Sequence, residues 1–154
     1  MKTIAMAQEQ YPRIYLYRRI VQAKLFIDRH YNNNIDLTNI ADEACFSKFH
    51  FIRLFNSIYG KTPYQYLKYV RIEAAKKLLQ AGLPVTEVCF SVGFDSTSSF
   101  SGLFKRSTGL NPSIYQQQQQ QRQLDIAATP LNYIPNCFAE TYGWTKNSNF
   151  GEVI

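Results

Sequence analysis

Phe49, Ile52, Arg53 and Asn56 fall at i, i+3, i+4 and i+7 along residues 47–59, the spacing of one outward stripe on a helix. Phe51, Leu54 and Phe55 take the opposite side and suit a core. Arg53 carries a planar fork of donors that matches O6 and N7 of guanine, an interaction worth about 1–3 kcal/mol of base discrimination. Phe49 and Ile52 are apolar on that stripe, which leaves two uses open: packing against a neighbouring helix or the tail, or contact with thymine methyl groups. Lys48 lies in the first turn and suits a phosphate. His50, beside it, either packs locally or joins the same contact.

A second stretch, FDSTSSFSGLFKRSTGLNP, has the same architecture in poorer chemistry. Phe100, Leu103 and Phe104 form an inward face; Thr97, Ser98, Ser101, Gly102 and Lys105 face out. So many serines and threonines disfavour a helix, but the packing pattern and its caps override weak propensity. Short hydroxyls reach phosphates and several kinds of base, so they specify little. The expectation is asymmetric reading: the first helix selects sequence, and the second adds affinity. Lys61, Thr62, Lys105 and Arg106 are further phosphate candidates.

Charge supports a polyanion partner. Residues 13–122 hold 15 Lys and Arg against 7 Asp and Glu, a net of +8, whereas residues 123–154 net to −2. No run of apolar residues is long enough to span a bilayer, and the first residues make a poor signal peptide. Cys45, Cys89 and Cys137 are odd in number and far apart, without a CxxC, and His30 and His50 do not pair with them. No metal site is expected, and a reduced cytoplasmic setting follows. Cys45 and Cys89 read as packing residues; Cys137 lies in the tail as a candidate sensing thiol. The chain has no P-loop, GxSxG, HExxH or dinucleotide fingerprint, so no enzyme, catalytic residue or cofactor is expected.

The elements that must hold the two stripes are repeated. Phe51, Phe55, Gly60, Pro63 and Tyr66 recur as Phe100, Phe104, Gly109, Pro112 and Tyr115, all at an offset of 49. Ile40, Ala41 and Phe46 match Val88, Cys89 and Phe94 at an offset of 48, so one residue is inserted in the second turn. In the first copy Asp36 caps a short helix to about Cys45, Ser47 caps the next, and Gly60 ends it. In the second, Pro84 opens the short helix, Asp95 or Ser96 caps the next, and Gly109 ends it. Each copy is a helix-turn-helix. Thr62-Pro63-Tyr64-Gln65 is a capping box that starts a linker helix, with Leu67, Val70, Ala74 and Leu78 inward and Gly82 at its end. A preceding helix turns Leu16, Ile20, Ala23, Ile27 and Tyr31 to one face. Asn111-Pro112 begins a last helix that runs into the glutamines. The reading is all-α, about seven helices, with no strand through residue 122.

Gly93-Phe94, Ser99-Phe100, Phe104-Lys105, Thr108-Gly109, Asn111-Pro112 and Tyr115 together resemble the signature of the AraC/XylS family of bacterial transcription regulators. The resemblance covers residues of about 18–118. It implies two helix-turn-helix subdomains joined by a long linker helix, each placing its second helix in a major groove, in successive turns on one face of the duplex. It also implies that Phe49, Ile52 and Arg53 match base-facing positions. Expected boundaries are an N-terminal extension over 1–17, a first subdomain over 18–61, the linker over 62–82, a second subdomain over 83–122, and a C-terminal extension over 123–154. The short N-terminal extension suggests a standalone member without a sensor domain.

The expected partner is double-stranded DNA, bound by a monomer at an asymmetric site of about 15–20 base pairs. The irregular tail holds Tyr133, Ile134, Phe138, Tyr142, Trp144 and Phe150, too many large apolar groups for a free disordered segment. It docks back as a strap, binds a protein such as RNA polymerase or a second copy, or forms a small-ligand site. The competing function is an architectural or adaptor protein that works through this tail without reading sequence.

Overall fold

The computed structural model describes residues 2–35 and 48–143. These form helices α1 (Lys2–His30), α2 (Lys48–Tyr59), α3 (Pro63–Gln80), α4 (Val85–Ser91), α5 (Thr97–Thr108) and α6 (Pro112–Ala128), then a 3-10 turn (Pro130–Tyr133) and α7 (Asn136–Thr141). Among the described residues there is no strand. The expected short helix from Asp36 to Cys45, with Ile40 and Ala41, the Ser47 cap and Trp144 onward lie outside the described residues.

Two cores divide the chain. The first gathers Ile20, Ala23 and Ile27 of α1, Phe51 and Phe55 of α2, and Leu67 of α3. The second gathers Ile72, Ala75 and Leu79 of α3 with Val88, Cys89, Val92, Phe100 and Phe104. The linker helix therefore serves both. Its capping box forms as expected: Gln65 N donates to Thr62 Oγ1 at 3.3 Å, and Thr62 N donates to Gln65 Oε1 at 2.9 Å. The expected inward stripe needs correction. Leu67 is buried, but Val70, Ala74 and Leu78 are only half-buried, and Ile72, Ala75 and Leu79 carry the burial instead.

The repeat is visible in the geometry. Phe51 and Phe55 stand 5.6 Å apart between ring centroids, and Phe100 and Phe104 also 5.6 Å. Phe55 meets Tyr66 at 5.7 Å as Phe104 meets Tyr115 at 5.3 Å. Pro63 and Pro112 both open a helix and are both buried. Gly60 and Gly109 hold left-handed backbone at φ 65° and 80°, a region costly to residues with a Cβ.

Two segments differ from the sequence reading. The N-terminal extension is not separate from the first helix: α1 starts at Lys2. The last helix runs through the glutamines as expected, but the tail read as irregular begins with a 3-10 turn and a short helix. Leu131 in that turn is 5% exposed, so the tail docks at this point against α6. Tyr133, Phe138 and Tyr142 stay 44%, 49% and 60% exposed.

Candidate nucleic-acid interface

The α2 stripe forms as its spacing requires. With Phe51 and Phe55 fully buried, the 3.6-residue period turns Phe49, Arg53 and Asn56 outward. Phe49 is 79% exposed, so its ring is not packed into the linker helix. Ile52 is half-buried at the edge of the stripe; Lys48 and His50 are exposed in the first turn. Among the described residues no hydrogen bond or ion pair engages Arg53, so its donors are available.

The second stripe sits on α5. Ser96, not Asp95, is the cap: its hydroxyl accepts from Ser99 N at 3.3 Å and donates to Ser99 Oγ at 2.9 Å. That fixes the first turn and leaves Thr97 and Ser98 exposed ahead of it. Ser101 and Gly102 are half-buried, and Lys105 is exposed. Arg106, a further phosphate candidate, is exposed. One guanidinium nitrogen lies 3.5 Å from where a Cβ on Gly102 would stand, so the side chain folds back along its own helix.

Arg106 also lines a cleft of about 370 Å³ between α3 and α5, with Tyr64, Lys68, Arg71, Asp95 and Ser99 among its walls. Tyr64, Lys68 and Arg71 repeat at i, i+4 and i+7, a stripe on the linker that the sequence reading passed over because it weighed only that helix's inward face. Lys68 Nζ lies 4.2 Å from the Tyr64 ring centroid, and Lys61 Nζ 5.4 Å from that of Tyr69. Thr62 spends its hydroxyl oxygen on the α3 cap, which leaves its O–H proton to donate.

Burial pushes the Arg71 guanidinium below its usual range and the Cys89 thiol above its own. On the first unit, Asp28 accepts from Lys24 at 2.6 Å and from the Tyr66 hydroxyl at 2.9 Å. Hydrogen bonding to Asp28 raises the Lys24 ammonium above its ordinary range. This trio braces α1 against α3 behind the outward stripe. Among the described residues no three His, Cys, Asp or Glu side chains group as a metal site, and no helix is long and apolar enough to cross a membrane.

A family described as a helix-turn-helix domain matches residues 40–118, which include both stripes and the linker. The MmsAB operon regulatory protein of Pseudomonas aeruginosa is 35% identical over 97 residues, 62% of this chain and 32% of that protein. The HTH-type transcriptional activator AarP of Providencia stuartii is 34% identical over 97 residues, 62% of this chain and 72% of that protein. The chain thus spans about a third of the first relative's length and most of the second's. Among solved structures, the DNA-binding domain of AdpA, the global transcriptional factor, in complex with a target DNA, superposes with a TM-score of 0.65 at 29% identity, over 67% of this chain and 94% of that one.

Proposed function

The chain belongs to the AraC-type helix-turn-helix family, and from that premise we propose that it is a transcription regulator that binds duplex DNA through α2 and α5. The observation that carries this is the outward α2 stripe, with Phe49 79% exposed and Arg53 exposed beside it over a fully buried aromatic core. An exposed phenylalanine of that size serves a partner better than it serves the monomer.

In the bound state α2 enters a major groove. Arg53 grips guanine O6 and N7, Phe49 and Ile52 meet thymine methyls, and Asn56 reaches the next base edge. Lys48, His50, Lys61 and Thr62 hold the flanking phosphates. α5 enters the following groove turn with Thr97, Ser98 and Ser101, while Lys105 and Arg106 add phosphate affinity. Since the units repeat head to tail along one chain, the operator is asymmetric, covers about 15–20 base pairs and is filled by one monomer. The first unit supplies most of the base selection, and the protein works in the cytoplasm, at the bacterial nucleoid.

One observation favours an added partner. Tyr133, Phe138 and Tyr142 remain half-exposed beyond the docked Leu131, a surface suited to RNA polymerase or a second copy. If the protein were an architectural adaptor working through this surface, its DNA affinity would be salt-dependent and blind to sequence.

Selection from random duplexes at near-physiological salt tests the proposal. It should enrich an asymmetric motif with one strong and one weak half. Two equal halves would reject the asymmetry; binding without enrichment would reject sequence reading in favour of the adaptor.

A further inference from the structure

The two units touch each other away from both stripes, and one side chain holds the contact. Arg71 stands at the middle of α3, between the turns that serve the two cores. Its Nε donates to the carbonyl of Tyr31 at 2.7 Å and its Nη2 to that of Asn33 at 3.0 Å. Both acceptors lie just past the C-terminus of α1, where helix carbonyls lack intrahelical partners and the dipole is negative. On its other side, the Arg71 guanidinium carbon lies 5.6 Å from the ring centroid of Phe94, in the turn of the second unit.

Gly93 closes the joint. A Cβ there would stand 2.9 Å from the Asn32 carbonyl oxygen, 3.0 Å from that of Tyr31 and 3.1 Å from Arg71 Nη2. The second unit's turn is therefore pressed onto the same short peptide segment of the first unit that Arg71 grips. The Tyr31 ring packs against both cores. A helix such as α3 resists bending, but the subdomains at its two halves still rock about it unless something ties them to each other.

We infer that Arg71, clamped between the end of α1 and the Gly93-Phe94 turn, is the positioning residue that sets the angle between α2 and α5, and with it the half-site spacing the protein accepts on DNA. The part concerning DNA rests on the two-unit reading proposed above; the clamp itself does not. One inserted base pair shifts the second half-site by ~3.4 Å and turns it by roughly 35° about the duplex. A locked pair of helices cannot follow that change. A lysine cannot replace the clamp, because a single ammonium lacks the planar fork that holds two carbonyls while lying over a ring.

Two measurements on full-length Arg71→Met and Arg71→Lys test this, with circular dichroism to establish that each variant is folded at the assay temperature. The first needs no DNA. Spin labels on unnatural ketone side chains introduced at Ser57 and Ser107, both exposed, report the distance distribution between α2 and α5. The wild type should give one narrow distribution, and each variant one at least about twofold broader. Equal widths overturn the clamp whatever the protein does on DNA. The second uses the selected duplex with one base pair inserted or removed between the half-sites. The wild type should lose at least about tenfold in affinity and the variants about threefold or less. Broadened distributions with an undiminished spacing penalty would overturn the link to spacing. A wild type that selects no motif would instead sink the DNA reading and leave the clamp to the first measurement. Should Arg71→Met fail to fold, Arg71→Lys, which keeps the charge, decides both.

Discussion

Replacing Arg53 with alanine should separate reading from folding. The side chain is exposed, and among the described residues nothing within the protein engages it, so the fold should lose less than about 0.5 kcal/mol, or roughly 1–2 °C in melting temperature. On DNA the same change removes a two-bond grip on guanine. That is about 1–3 kcal/mol, which converts to about fivefold to 150-fold weaker binding of the preferred duplex. The assay is fluorescence anisotropy on two duplexes, the selected motif and one with the contacted guanine replaced. Wild type should prefer the first; Arg53→Ala should bind both nearly alike. Two controls define the mechanism. Thr97→Ala loses at most one neutral hydrogen bond, roughly 0.5–1.5 kcal/mol, and should leave most of the preference in place. Lys105→Ala should weaken both duplexes equally and lower the salt slope by about one. The reasoning fails if Thr97→Ala erases selectivity as fully as Arg53→Ala. It also fails if Arg53→Ala behaves like Lys105→Ala, since Arg53 would then be a phosphate contact.

The two copies also differ in their caps. Thr62 closes a full capping box, whereas Asn111 makes no side-chain cap bond, so Thr62→Ala should cost about 1 kcal/mol and Asn111→Ala close to nothing in thermal melts. Burial raises the phenols of Tyr59 and Tyr66 above the ordinary 10.0, so the folded chain keeps protons that the unfolded chain sheds. That stability is complete below pH 10 and is lost as pH climbs through the folded-state values; melts across the alkaline range should show the loss, and Tyr66→Phe should make it shallower. Alkylation followed by mass spectrometry should label exposed Cys137 promptly and buried Cys89, whose thiol burial pushes up, only on unfolding.

Much of this arrangement is legible in the residues because its determinants are local. Gly60 and Gly109 mark left-handed turns, Pro63 and Pro112 mark first turns of helices, and aromatic pairs four apart mark inward faces; none of these depends on a distant partner. Both outward stripes follow once the inward faces are assigned. The tail is less legible, since among its described residues Leu131 is the buried one, while Tyr133, Phe138 and Tyr142 stay 44%, 49% and 60% exposed. No periodicity distinguishes that leucine from its neighbours.

The linker helix shows why the remainder escaped. A single inward stripe through Leu67, Val70, Ala74 and Leu78 assumes one core. There are two, and they lie on different sides of α3. At 100° per residue, Leu67 faces the first core while Ile72, Ala75 and Leu79 point about 80–140° further round, toward the second. The expected stripe stays within about 60° of Leu67, so along the second half of the helix it misses the face that Ile72, Ala75 and Leu79 bury. On the same wheel Arg71 sits about 40° from Leu67, in the seam where one face gives way to the other. From that sector its guanidinium contacts both the end of α1 and the Gly93-Phe94 turn. The position that disturbs a one-core pattern is thus the position from which the two units can be tied. A polar residue at the crossover of two apolar faces is therefore a sequence signal for a clamp, provided both cores are identified first.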